Sequence, residues 1–252
     1  MFSDAVKWGG FEGRMKILVF QHLRVEHSGI FADFWREAGH SEHIVELNEG
    51  EAIPDLDSFD MLAVMGGPMD VWQEDAHPWL KPDKAAIRRW VRELERPYLG
   101  ICLGHQLLAD ALGGKVGLMK APEVGLATVE LTKAGRADRL FDGVAPAIET
   151  LQWHSAEVSM LPEGGEVLAA NAACPIQAMR VGQNAYGFQY HMEITERTVG
   201  EWSQISEYAA SLEQALGADE AGRLAQTVAP HLPAFRKTAR LINDNFFVTI
   251  GC

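Results

Sequence analysis

A chain of 252 residues, 47% of them hydrophobic, is long enough to bury a full core, and α/β enzymes of this size are commonly one domain. Its formal net charge of -13, from 35 acidic against 22 basic side chains, excludes a surface built to displace counterions from a nucleic-acid backbone. Only Cys102, Cys174 and Cys252 are present, with no C-x-x-C pair, which excludes a disulfide framework and a structural zinc site, and no apolar run is long enough to cross a bilayer.

Residues 1–14 lack the apolar core of a signal peptide and read as a glycine-containing preface with no structure assigned, so Met15 is available as a natural start. A cytoplasmic location is expected, because a reducing medium suits a free thiol. The first strand is predicted over residues 15–20 and a helix over 28–38, closed by Gly39. Strands follow at 43–46 and 60–65. A helix over 81–95 puts Ile87, Trp90, Val91 and Leu94 on one face, whose ordinary meaning is core. Residues 99–102 form a short central strand that runs straight into a helix over 103–112, ended by Gly113 and Gly114. Strands at 124–131, 166–170, 176–180 and 186–190, with turns at Pro162-Glu163-Gly164-Gly165 and Gly182-Gln183-Asn184, read as an antiparallel extension. Beyond Thr195, a candidate helix cap, the chain turns helical, with helices at 219–228 and 232–246. Short apolar strands alternating with amphipathic helices predict an α/β fold: a mainly parallel sheet flanked by helices, with an antiparallel extension.

The strand-to-helix junction carries the chemistry. A nucleophile on a sharp turn needs small residues two before and two after it, and Gly100 and Gly104 flank Cys102 in that way. At the start of a helix, unpaired N–H groups favour the thiolate. A buried cysteine after a strand is by itself an ordinary core residue. Far downstream, however, the aromatic strand Tyr186-Gly187-Phe188-Gln189-Tyr190 ends by presenting His191 and then Glu193, a base with an orienting acid two residues on.

The G-x-C-x-G-x-Q run, the later H-x-E and the turn Met65-Gly66-Gly67-Pro68 after an apolar strand resemble the class I glutamine amidotransferases, over roughly residues 15–195. Within that family the chain is similar to free-standing proteins like the amidotransferase domain of GMP synthase, a group that includes γ-glutamyl peptidases. Met192 stands where many synthase-linked members carry proline, which points to the free-standing group. The resemblance implies a flavodoxin-like three-layer fold and a catalytic domain spanning residues 15–252. A primary carboxamide is a poor electrophile, so its cleavage needs a strong nucleophile, oxyanion donors and an acid for the leaving nitrogen. Cys102 would attack, His191 would take and return the proton, and Glu193 would hold the imidazole. The backbone N–H groups of Leu103 and Gly67 would be the oxyanion donors.

By the same resemblance Gly66, Gln106, Glu123, His154 and Ser155 border the substrate. Gln106 reads equally as a polar helix residue, Glu123 as a charged strand-edge residue, and His154 as a partner for Trp153. The other histidines, His22, His27, His40, His43, His77, His105 and His231, have no metal-site spacing. Gly113-Gly114-Lys115 lacks the glycine spacing and the Ser/Thr of a phosphate loop, so neither ATP nor any other cofactor is expected. The expected ligand is glutamine or a γ-glutamyl small molecule. Three roles remain open: a free γ-glutamyl hydrolase or peptidase, a glutaminase subunit feeding a partner synthase, and a silent binding protein. Oligomeric state is not legible.

Overall fold

A computed structural model describes residues 13–251; residues 1–12 of the preface, and Cys252, lie outside the described residues. Among the described residues nine strands form one mixed sheet: β1 Lys16–Gln21, β2 Ser41–Glu46, β3 Met61–Val64, β4 Tyr98–Ile101, β5 Lys115–Leu131, β6 Ala147–Met160, β7 Gly165–Ala170, β8 Ala178–Val181 and β9 Ala185–Phe188, in the order β2-β1-β3-β4-β9-β8-β7-β5-β6. The pairings from β2 through β9 are parallel, and β8, β7, β5 and β6 continue the sheet antiparallel. The predicted α/β class and the antiparallel extension are therefore both present.

Apart from the exposed edge strand β2, the parallel half is buried on both faces, which explains why β1, β3, β4 and β9 read as largely apolar runs. In β1, Ile17 and Val19 join one core with Phe31, Trp35 and Phe246, while Leu18 and Phe20 join another with Leu62, Ile87, Trp90 and Leu107. Helices α1 (Ile30–Glu37), α2 (Leu80–Arg88) and α3 (Leu103–Ala111) cover these faces. A third core, built on Leu151, Trp153, Trp202, Tyr208 and Leu212, packs the C-terminal helices under the antiparallel arm. No helix of the described residues is long and apolar enough to cross a membrane.

Several elements differ from expectation. The single helix predicted over 81–95 breaks after Arg88 into a wide turn, Arg89–Glu93, with the Leu94 N–H donating to the Arg89 carbonyl at 3.0 Å. That turn lets the Trp90 indole sink fully and donate to the Pro97 carbonyl at 2.9 Å. Strand β6 lies outside every predicted element: Thr150 through His154 are all buried, and its apolar alternation changes phase on either side of Leu151 and Trp153. Thr195 does not cap the helix Thr198–Trp202; it stands three residues before it, where its backbone N–H donates to Thr198 Oγ1 at 2.9 Å. The helix Ser206–Leu216 falls in the stretch whose helices the sequence leaves undelimited.

Candidate active site

The elbow is built as its glycines require. Cys102 has φ 50° and ψ -102°, a left-handed conformation that L side chains rarely adopt, and its N–H donates to the Phe188 carbonyl at 2.8 Å. A Cβ on Gly104 would lie 2.0 Å from the Val64 carbonyl oxygen, and one on Gly100 would lie 2.6 Å from the Gly104 carbonyl. The glycines thus permit close backbone approach between α3 and strands β3 and β4. The Tyr98 hydroxyl then donates to the Gly104 carbonyl at 2.7 Å and fixes the first turn of α3.

His191 follows β9, and its N–H donates to the Leu151 carbonyl at 2.9 Å, which draws the antiparallel arm toward the elbow. Its Nδ1 lies 2.7 Å from Glu193 Oε1, Glu193 Oε2 accepts the Met192 N–H at 2.9 Å, and the ring sits edge-on to Trp202 with centroids 4.5 Å apart. With Nδ1 held by the carboxylate, Nε2 is the nitrogen left free to act on Cys102, whose thiol is close enough to bear on the ring's charge. Burial alone would pull the His191 pKa down, but Glu193 and Cys102 outweigh it and push it well above the usual imidazole value.

An open cleft lies over Cys102, bordered by Gly67, Gln106, His154, Ser155 and Tyr208. Gln106 is anchored from behind, its amide donating to the Ala156 carbonyl and to Gln189 Oε1, both at 3.1 Å. His154 faces acceptors at both nitrogens: the Ala156 carbonyl at 3.0 Å, and Glu123 Oε2 and Gln152 Oε1 at 3.2 and 3.1 Å. Glu123 sits behind His154, where it also accepts from Gln177 at 2.8 Å and from Asn171. Gly66 and Gly67 follow β3, and a Cβ on Gly67 would lie 2.8 Å from the Leu103 side chain, so the turn packs on the start of α3.

The family profile for glutamine amidotransferase class-I matches residues 31–202, more than half of the chain. The chain belongs to the class I glutamine amidotransferase family. It is 34% identical over 157 residues to a glutamine-hydrolyzing GMP synthase subunit of Sulfolobus acidocaldarius, covering 62% of this chain and 79% of that one. It is 31% identical over 191 residues to the glutamine amidotransferase-like protein YfeJ of Salmonella typhimurium, covering 73% and 78%. Among solved structures, a glutamine amidotransferase from Thermotoga maritima superposes with a TM-score of 0.82 at 25% identity, covering 94% of this chain and 98% of that one.

Two features of this amidotransferase carry no motif in its sequence. Gln189 is wholly buried, and its amide Nε2 lies 3.7 Å from Cys102 Sγ, so it and Gln106 form a relay between the thiol and the cleft wall. Its place two residues before His191, on the same strand face, is the available signal. Glu26 is the second feature. Its carboxyl accepts from the Tyr208 hydroxyl at 2.5 Å, and a Cβ on Gly66 would lie 2.3 Å from its Oε2 and 3.5 Å from His191 Cε1. No local pattern marks this acid, because its partner lies 182 residues away.

Burial pushes the Glu26 pKa up from 4.5 to about 7, against the pull of His191 and Tyr208. A carboxyl raised in the native state favours folding at low pH. As pH climbs from 4.5 to about 7 the unfolded chain releases this proton while the native chain keeps it. Stability from this group is therefore lost across that window, by about 3 kcal/mol, and is level above it. Glu26→Gln keeps the neutral shape and is expected to remove that slope. Urea titrations at pH 5 and pH 8 check this: an unchanged difference between the two pH values for wild type and variant refutes the buried neutral carboxyl.

Proposed function

We propose that residues 15–252 form a cysteine amidohydrolase that cleaves the side-chain amide of glutamine, or of a related γ-glutamyl amide, through a γ-glutamyl thioester. The observation that carries this reading is the His191 imidazole held by Glu193 at 2.7 Å, with the elbow thiol of Cys102 as the other group that acts on the ring's charge. With the thiol proton already held by His191, Cys102 Sγ adds to the amide carbon and the carbonyl electron pair moves to oxygen. The backbone N–H groups of Gly67 and Leu103 receive that oxyanion; neither donates to a backbone carbonyl in the loops and turns of the described residues. His191 then protonates the nitrogen and ammonia or an amine leaves; water next attacks the thioester with the neutral imidazole as base, the C–S bond breaks, glutamate leaves, and the proton returns to the Cys102–His191 pair. Gln106, His154 and Ser155 border the cleft where the glutamyl backbone would lie, with Glu123 behind His154 and Gly66 behind the oxyanion turn. Every step uses the chain's own groups and water.

A second reading has one specific support: several relatives are named as glutamine-hydrolyzing subunits of GMP synthase, a name that implies a further chain in the same synthase. On that reading the ammonia passes to a partner synthase instead of being released. Turnover by the purified protein alone separates the two. Glutamine, a γ-glutamyl amide and a γ-glutamyl dipeptide are assayed for free glutamate, without ATP or a second polypeptide and beside Cys102→Ala. Release from any of them that Cys102→Ala lacks supports the self-sufficient hydrolase. Silence alone, with glutaminase activity on adding a synthase partner, transfers the case to the partner-dependent reading.

A further inference from the structure

Behind the oxyanion turn lies a fully buried charged pair that the reaction outlined above leaves unused. His22, the residue after β1, has its Nε2 3.0 Å from Asp83 Oδ2 on α2, and both side chains are wholly inaccessible. Its Nδ1 lies 3.1 Å from the Met65 carbonyl oxygen and 3.0 Å from the Gly66 carbonyl oxygen. Carbonyl oxygens only accept, so Nδ1 carries its proton and donates to both; the second proton of the pair lies between Nε2 and the carboxylate. The ring is backed by Trp79, stacked with centroids 5.4 Å apart. A Cβ on Gly67 would come within 3.1 Å of His22 Cβ, so the imidazole packs directly against the turn.

The geometry points to His22 and Asp83 as a positioning dyad that holds the Gly66–Gly67 peptide with its N–H turned toward the Cys102 cleft. The Gly66 carbonyl and the Gly67 N–H belong to one peptide unit. No peptide bond of the described residues is cis, so the two groups point in opposite directions across a rigid plane. Clamping the carbonyl from behind therefore aims the N–H forward. Glycine on both sides of that bond leaves the peptide otherwise free to flip, which is why a clamp is needed. A charge-assisted donor on the carbonyl also polarises the peptide and strengthens its N–H as a donor. Stability is a poor account of the pair, because a buried ion pair is commonly no better than apolar side chains of its size. Among the described residues, Asp83 Oδ1 even lacks a hydrogen-bond partner.

This inference rests on the oxyanion role given to Gly67, and the test separates the two. The double variant His22→Phe/Asp83→Leu removes both charges together and keeps the stack on Trp79, so no lone buried charge is left to unfold the protein. Its expected kcat is down about 10- to 100-fold, a part of the loss typical for deleting an oxyanion donor, with KM within about twofold. Alkylation of Cys102 by iodoacetamide displaces iodide at a saturated carbon and develops no carbonyl oxyanion, so its rate is expected to stay at the wild-type value. The double variant His22→Asn/Asp83→Leu puts an amide N–H near the place of Nδ1 without leaving a lone buried carboxylate, and is expected to recover much of the turnover. Crystal structures of wild type and double variant are expected to differ in the direction of the Gly66 carbonyl. A carbonyl that keeps its direction overturns the proposal whatever the turnover, and so does an unchanged kcat. A kcat loss matched by an equal loss of alkylation overturns it too, because that marks a general disturbance of the elbow. If wild type itself turns nothing over, the hydrolase reading fails, and the carbonyl direction still decides the dyad.

Discussion

Cys102→Ala is expected to abolish release of glutamate, and His191→Ala to come close to it, at a cost of about 10⁴-fold or more in kcat for either. Members of such a unit act together, so removing one forfeits most of what the set supplies. Glu193→Gln is expected to keep a measurable fraction of turnover. It still reaches His191 Nδ1, now 2.7 Å from Glu193 Oε1, but no longer stabilises the imidazolium. His154→Ala, acting through the cleft wall and not the thiol, is expected to raise KM more than it lowers kcat. An inactive His154→Ala beside an active His191→Ala would reverse the assignment of the two histidines. Chemical labelling gives a second measure. A diazo-ketone analogue of glutamine is expected to modify Cys102 and to spare Cys174, which has no exposed surface and whose thiol pKa burial pushes up to about 12. Mass spectrometry that found the two equally labelled would remove the special reactivity claimed for the elbow.

What is legible in the sequence follows from how the chemistry is written along the chain. The elbow compresses strand, nucleophile and helix into a few residues. The clashes behind its glycines, Gly104 on Val64 and Gly100 on Gly104, are so severe that only one residue type serves. His191 and Glu193 sit two apart on an extended segment, so their pairing is local as well. Contacts between distant segments leave no such mark. Glu26 meets Tyr208, and His22 meets Asp83, only because the chain leaving β1 passes the helix Ser206–Leu216 and the first turn of α2 where the parallel strands finish. His22 therefore reads as one more isolated histidine. Strand β6 is hidden for a different reason. Its apolar positions, Ile148, then Leu151 and Trp153, then Ala156 and Val158, change phase twice, so no single run of period two spans the strand.

Gly104→Ala is expected to lower stability and activity together, out of proportion to the one methyl group it adds. The new carbon would meet the Val64 carbonyl oxygen at 2.0 Å, with the Val64 backbone carbon at 2.7 Å. Both are main-chain atoms of a wholly buried central strand, so no side-chain rotation relieves the contact and α3 must shift against β3. Overpacking of this kind costs about 3 kcal/mol, which for a chain of this size lowers Tm by about 6 to 12 °C. A shift of α3 carries Cys102 and the Leu103 N–H with it. Misplacement by about 1 Å costs on the order of 10²-fold in rate, so the surviving folded protein is expected to be slow as well as unstable. Gly200→Ala provides the control. That glycine lies inside the helix Thr198–Trp202, a Cβ there meets nothing within 4 Å, and alanine is the better helix former by about 1 kcal/mol. It is expected to hold or slightly raise Tm with activity intact. Thermal melts and kcat measured on the two variants side by side decide the matter. A Gly104→Ala protein as stable and as fast as wild type would mean that α3 does not need its close approach to β3, and the elbow would lose its structural basis.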